Sequence, residues 1–229
     1  MHVLGFDTAT PNVTVALGSG GEVLGGVRLG GGRRHAEQLA PAIRYLCDET
    51  GVALSHLAAI AVGIGPGLFT GLRVGVTTAR TLAQALRLPV VAIPTLDLVA
   101  YPLRYARRSV VAVVDARRRE VFWARYRPVP GGVQRVSDYD VAPPADVVAE
   151  LDASPDEALL AGDGVLTYRE QFEALDRAEL TGAAFAAPSA TSLVELATAR
   201  VEREEFVSPL EVQPLYLRDS DADNRWGQP

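Results

Sequence analysis

The chain has 229 residues, a formal net charge of −6 and 48% hydrophobic residues, which suits one large domain or two of about 100 to 130 residues. All 22 basic residues are arginines, which excludes Schiff-base lysine chemistry and a Walker-type phosphate lysine, and the single Cys47 excludes an intramolecular disulfide or a cysteine-rich zinc site. No apolar run reaches the roughly 18 to 20 residues of a membrane span and no basic, cleavable leader precedes the first strand, so a soluble cytoplasmic protein without membrane contact is expected.

Three β-like runs open the chain at 3–7 (VLGFD), 13–18 (VTVALG) and 22–29 (EVLGGVRL), joined by short turns as a meander. Residues 35–50 follow with Leu39, Ile43, Leu46 and Cys47 at helical spacing, and Gly51 ends the pattern. A buried strand at 57–62 runs into VGIGPGLFTGLRVG (62–75), with five glycines and a proline, then a helix at 71–86 and a strand at 89–93. A helix-like segment from Pro94 to about Arg107 leads to a second unit: a β-branched strand at 110–115, a hairpin of 121–127 with 133–139, a strand at 158–161, and helices at 144–151, 166–174 and 189–203. The order predicts two α/β halves, 1–100 and 101–218, facing one another across a nucleotide-sized cleft, with a polar, mobile tail at 219–229.

The glycine loop is where chemistry would concentrate. Gly65, Pro66 and Gly67 permit close approach of another group, and the first-turn amides of the helix carrying Thr70, Gly71 and Arg73 would point at whatever the loop holds: an anion, or nothing if the loop is only a structural turn. Asp7 with Thr8 and Thr10 has two readings, a carboxylate and hydroxyls that orient a hydrated metal or nucleotide, and an Asx or Thr turn capping the first hairpin through its own backbone. Asp115 and Glu120 flank three arginines in a hairpin turn, which favours ion pairing over acid–base work, and Arg104, Arg107 and Arg108 are expected on a solvated surface. The net negative charge opposes autonomous RNA binding.

FDTAT at the first strand end, RRHAEQLAPAI opening the first helix, GPGLFTGLRVG, DARRREVFWARY and the late PLYLRD, in this order over nearly the whole chain, resemble the bacterial TsaB family, also called YeaZ. The resemblance implies a two-lobed α/β fold with mixed sheets of the actin, Hsp70 and sugar-kinase kind. It also implies a role in making threonylcarbamoyladenosine in tRNA, as the noncatalytic partner of the paralogue TsaD and the ATPase TsaE. The catalytic paralogue carries a pair of histidines four residues apart on the helix after the meander. Here His35 matches the first position, and Leu39, which cannot ligate a metal, stands at the second, so no catalytic metal is expected. His35 is then a vestigial site residue lining the cleft, or an ordinary helix-start histidine held by local hydrogen bonds.

The resemblance further implies no cofactor for the isolated chain, leaves ATP or ADP open in the complex, and lets tRNA meet this subunit only indirectly. Pairing with the paralogue, or with a second copy when the chain is alone, is expected through Leu39, Ile43 and Leu46 of the first helix and Val74, Thr78, Leu82 and Leu86 of the second. The competing expectation is that these stripes face the chain's own sheet. An independent ATP-dependent transferase or kinase, or a metallopeptidase-like hydrolase, is the alternative function, and it lacks a ligand cluster and a convincing base.

Overall fold

The computed structural model describes residues 1–30, 32 and 34–218. Its first half runs β1 (His2–Asp7), β2 (Val13–Ser19), β3 (Glu22–Leu29), α1 (His35–Thr50), β4 (Leu57–Gly63), α2 (Phe69–Leu86) and β5 (Val90–Ile93). α3 (Thr95–Ala100) then leads to β6 (Ser109–Arg117), β7 (Glu120–Val129), β8 (Gly132–Arg135), β9 (Asp140–Ala142), α4 (Pro144–Asp152), β10 (Ala158–Ala161), α5 (Asp163–Thr167), α6 (Arg169–Phe172), β11 (Ala178–Leu180) and α7 (Ala190–Glu202). Among the described residues no helix is long and apolar enough to cross a membrane.

The strands form two sheets with one topology. The first is ordered β3-β2-β1-β4-β5 and the second β8-β7-β6-β10-β11, with β9 added beside β7. In each, the first two pairings form an antiparallel meander and the last two are parallel. The parallel steps need crossovers, which α1, α2, α4 and α5 with α6 supply. β1 and β4 are buried on both faces, and so they read as continuous apolar runs rather than as alternating patterns.

Two helices are exchanged between the halves. α7 follows the second sheet in sequence yet packs on the first, setting Leu193, Val194 and Ala197 against Val3, Ala16, Ala59 and Ala61. Ser189 starts this helix by accepting the Ser192 N–H at 3.0 Å, a side-chain cap. α3 lies between the sheets: Leu98 joins the α7 cluster while Leu96, Val99 and Ala100 pack on Val110, Ala112 and Val114 of β6. Burying each such Leu or Val contributes about 1.5–3 kcal/mol, so the exchange ties the halves into one cooperative body. Asp97 of α3 adds a polar tie, accepting hydrogen bonds at 2.8 Å from both Tyr126 and Tyr139, while burial pushes its carboxyl above the usual range.

Several elements differ from expectation. α2 begins at Phe69, two residues before the expected start at Gly71. The helix expected as far as Arg107 ends at Ala100, because Pro102 turns the chain into a single 3-10 turn, Tyr101–Leu103. The helix expected at 166–174 is two short pieces, α5 and α6, broken at Tyr168, whose φ of −115° leaves the helical region. The hairpin strand expected at 133–139 is the short β8 followed by a separate β9, and β11 was not foreseen. The expected polar tail at 219–229 lies outside the described residues.

Candidate functional site

The end of β1 and the loop between β4 and α2 meet at the centre of the first lobe. Asp7 is buried, with Oδ1 accepting the Ala9 N–H and Oδ2 accepting the Thr95 hydroxyl, both at 2.8 Å. Burial pushes its carboxyl up to about 6, against the lowering effect of those two bonds and of His35. Thr8 donates its hydroxyl to Gly71 O at 2.7 Å, and Leu68 N–H donates to Ala9 O at 2.7 Å. The turn after β1 is thus stitched to the glycine loop by hydrogen bonds of the chain itself.

This contact explains the glycines. A Cβ at Gly67 would strike Ala9 O, one at Gly71 would strike Thr8 O, and one at Gly63 would strike the Asp7 carboxylate. Close approach is therefore required, as the sequence predicts, and the group that approaches is the chain's own β1–β2 turn. Gly65 has a different task. It sits at φ 102°, its N–H bonds to the Thr95 hydroxyl at 3.0 Å and its carbonyl accepts the Thr95 N–H at 2.6 Å; the Gly65–Pro66 peptide is cis.

His35 is 4% exposed, and its Nε2 lies 2.7 Å from Thr10 O, which is the local hydrogen-bond reading of this residue. Leu39, one turn further on, points into the core. No group of three or more His, Cys, Asp or Glu side chains able to hold a metal comes together among the described residues. Of the expected loop residues, Asp7, Thr8, Thr10, Gly65, Pro66, Gly67 and Gly71 cluster at this junction, whereas Thr70 and Arg73 are exposed. Arg73 places its guanidinium 5.4 Å from the centre of the Phe69 ring.

The second lobe contributes the turn between β6 and β7. Asp115, near the end of β6 as Asp7 is at the end of β1, pairs with Arg117 at 3.1 Å, accepts the Arg117 N–H at 2.8 Å and accepts the Tyr168 hydroxyl at 3.3 Å. Its own N–H donates to Asp163 Oδ1 at 3.0 Å. Burial, with the neighbouring Asp115 charge, pushes the Asp163 carboxyl up to about 6 despite that bond. Glu120 pairs with Arg218 at 3.0 Å, so the carboxylates flanking the arginine turn are engaged in ion pairs, as expected. Arg104 and Arg108 likewise pair, with Glu195 and with Glu157 and Glu179.

Between the lobes lies a cavity of about 190 Å³, lined by Phe69 at the start of α2, Arg117 and Phe122 of the second lobe, and Leu215, Tyr216 and Arg218 near the C-terminus. Gly67 alone of the expected loop residues reaches it. Thr95, Asp163 and Tyr168 were not singled out from sequence, and residues 215–218 were noted only as part of the late PLYLRD motif, with no site role. Thr95 meets Asp7, and Asp163 and Tyr168 meet Asp115, only through the fold, and the one local signal for Thr95 was the helix start after Pro94.

The pairing surface needs a correction. Leu39, Ile43 and Leu46 of α1 are 1%, 5% and 3% exposed and belong to the core under the first sheet, with Val13, Val15 and Leu17, so they cannot reach a partner. Their period-3.6 stripe faces the chain's own sheet, the usual fate of such a stripe. Val74, Thr78, Leu82 and Leu86 of α2 are half-buried. Cys47 is half-buried against the same core, and burial pushes its thiol up.

Duplicated mixed sheets with exchanged helices around a central cleft define the two-lobed fold of actin, Hsp70 and the sugar kinases. The activator of 2-hydroxyisocaproyl-CoA dehydratase from Clostridium difficile shares this fold, with a TM-score of 0.52 at 10% identity over 94% of this chain and 99% of that one. Within the fold, residues 30–226 match the family model described as TsaD, tRNA N6-adenosine threonylcarbamoyltransferase. The tRNA threonylcarbamoyladenosine biosynthesis protein TsaB of Haemophilus influenzae is 33% identical over 96% of this chain and 94% of its own, and that of Escherichia coli is 28% identical over 97% and 96%. The YeaZ structure from Pseudomonas aeruginosa superposes with a TM-score of 0.82 at 35% identity, covering 94% of this chain and 99% of that one. The chain belongs to the TsaB (YeaZ) family.

Proposed function

We propose that this chain is the noncatalytic partner subunit of the bacterial machinery that makes threonylcarbamoyladenosine in tRNA, pairing with a TsaD-like catalytic paralogue and working with a TsaE-like ATPase. Family membership supports the pathway. The observation that carries the noncatalytic role is that the groups at the β1 end and the glycine loop are consumed internally: Asp7 by Ala9 and Thr95, Thr8 by Gly71, His35 by Thr10. A phosphoryl- or carbamoyl-transfer centre needs free charged groups aimed at the transferred group, and the chain has no lysine to supply one. The isolated chain needs no cofactor on this reading, ATP or ADP belongs to the complex, tRNA meets the subunit only indirectly, and the setting is the cytoplasm.

Pairing uses the outer side of α2. α2 offers the half-buried Val74, Thr78, Leu82 and Leu86 next to the exposed Thr77 and Thr81. The short Thr77, Thr78 and Thr81 side chains let another helix come close. The test mixes the purified chain with the catalytic paralogue of the same genome, measures complex mass by light scattering, and assays threonylcarbamoyl transfer with and without this chain. A defined complex that transfer requires, with no turnover by the chain alone, is the expected result. Turnover of ATP by the chain alone, without a complex, overturns the reading.

A further inference from the structure

We infer that residues 212–218 are a strap that crosses the cleft, holds the two lobes together and gates the cavity between them. Val212, Leu215 and Tyr216 are anchored to the first lobe, and Leu217 and Arg218 to the second. Val212 is 2% exposed and sits in the core of the first lobe with Leu57 and Val90. Leu215 N–H donates to Ile64 O at 2.7 Å in the glycine loop, and Leu215 O lies over Gly65, where a Cβ would approach it to 2.9 Å. Tyr216 packs on Phe69 at the start of α2, ring centres 5.3 Å apart. Leu217 then joins the core of the second lobe. Arg218 completes the crossing by donating to Ala116 O at 2.9 Å and pairing with Glu120 at 3.0 Å.

The strap is a wall of the cavity as well as a tie, since Leu215, Tyr216, Leu217 and Arg218 line the space on one side and Gly67, Phe69, Arg117 and Phe122 on the others. Its hold is graded. The first-lobe end is fixed by the fully buried Val212, a backbone hydrogen bond and the Tyr216–Phe69 contact, whereas the second-lobe end depends on Leu217, which is only partly buried, a partly solvated ion pair and one carbonyl contact. The strap therefore releases from the second lobe first. Release frees the turn carrying Arg117 and merges the cavity with the open cleft.

Hydrogen–deuterium exchange of the full-length chain tests this. Replacing Arg218→Ala together with Tyr216→Ala should raise exchange at least tenfold at residues 116–120 and measurably at 64–69, while β2, on the far side of the first sheet, stays at its original rate. If exchange rises in β2 as well, the double variant has loosened the whole fold, and Glu120→Gln decides: it keeps the Arg218 contact with Ala116 O and should raise exchange two- to fivefold at 116–120 alone. Unchanged exchange at 116–120 in Glu120→Gln, or in the double variant with β2 protected, overturns the strap.

Discussion

Gly67 and Gly71 are single atoms away from collision. At each, the obstructing atom is a backbone carbonyl oxygen of the β1–β2 turn, which cannot swing aside as a side chain can. Gly67→Ala or Gly71→Ala should therefore cost about 2–4 kcal/mol or prevent folding, within the range of overpacked and strained core sites. Gly132→Ala, whose nearest neighbour would be a Tyr101 ring carbon at 3.8 Å, should change stability by less than about 0.5 kcal/mol; urea titration of the three variants measures the contrast. Asp7 makes a second prediction at this scale. Its folded carboxyl titrates near 6 against an ordinary 3.8, so the folded state holds the proton more tightly than the unfolded one. The stability this gives is complete below about pH 3.8 and is lost as pH rises through 6, a swing of about 3 kcal/mol at most. Asp7→Asn, which keeps an oxygen for the Ala9 N–H and removes the buried charge, should raise the melting temperature at pH 7.5 and have little effect at pH 4. A lower melting temperature at pH 7.5 would show that the bonds from Thr95 and Ala9 outweigh desolvation.

At the scale of elements, the β6–β7 turn is where local sequence and local structure disagree. Arg117, Arg118 and Arg119 have φ of 63°, 56° and 62°, a run of left-handed residues that Asn and Gly accept and a longer side chain resists by about 1–2 kcal/mol each. Arg119→Gly should stabilise the chain by about 0.5–1 kcal/mol, the relief of strain less the entropy glycine adds to the unfolded chain, read as a shift of the urea midpoint. The turn itself was legible, since two β-rich runs flank a polar triplet; its handedness was not, because no glycine or asparagine announces it. The same distinction runs along the chain. β1, β2, β3, α1, β4 and β5 were readable to within a residue or so because each carries its own period or apolar run and its own terminator. β8, β9, α5 and α6 were blurred, being three to five residues long, too short for a period to repeat.

For the whole molecule, what could not be read was the destination of each apolar face. The helix at 189–203 was visible, but nothing in it says that Leu193, Val194 and Ala197 cover the first sheet rather than the second, whose strands immediately precede it. The β1 turn and the glycine loop were singled out separately; that they satisfy one another, with Thr95 locking Asp7 from 88 residues away, is a product of the fold. The same limit applied to α1, where Leu39, Ile43 and Leu46 fit an inward and an outward face equally well until the sheet beneath them was known. Their burial moves the burden of pairing to the exposed and half-buried side of α2, and that gives the last prediction. The isolated chain should sediment as a dimer at high concentration if this side self-associates. Thr77→Arg with Thr81→Arg adds two bulky charges at solvent-exposed positions that contribute nothing to the core, so the monomer fold should survive while the dimer is lost. Sedimentation velocity reads mass, and circular dichroism checks the fold. A dimer that persists through both substitutions, with helicity intact, would place self-association elsewhere and remove α2 as the common surface for a second copy and for the catalytic paralogue.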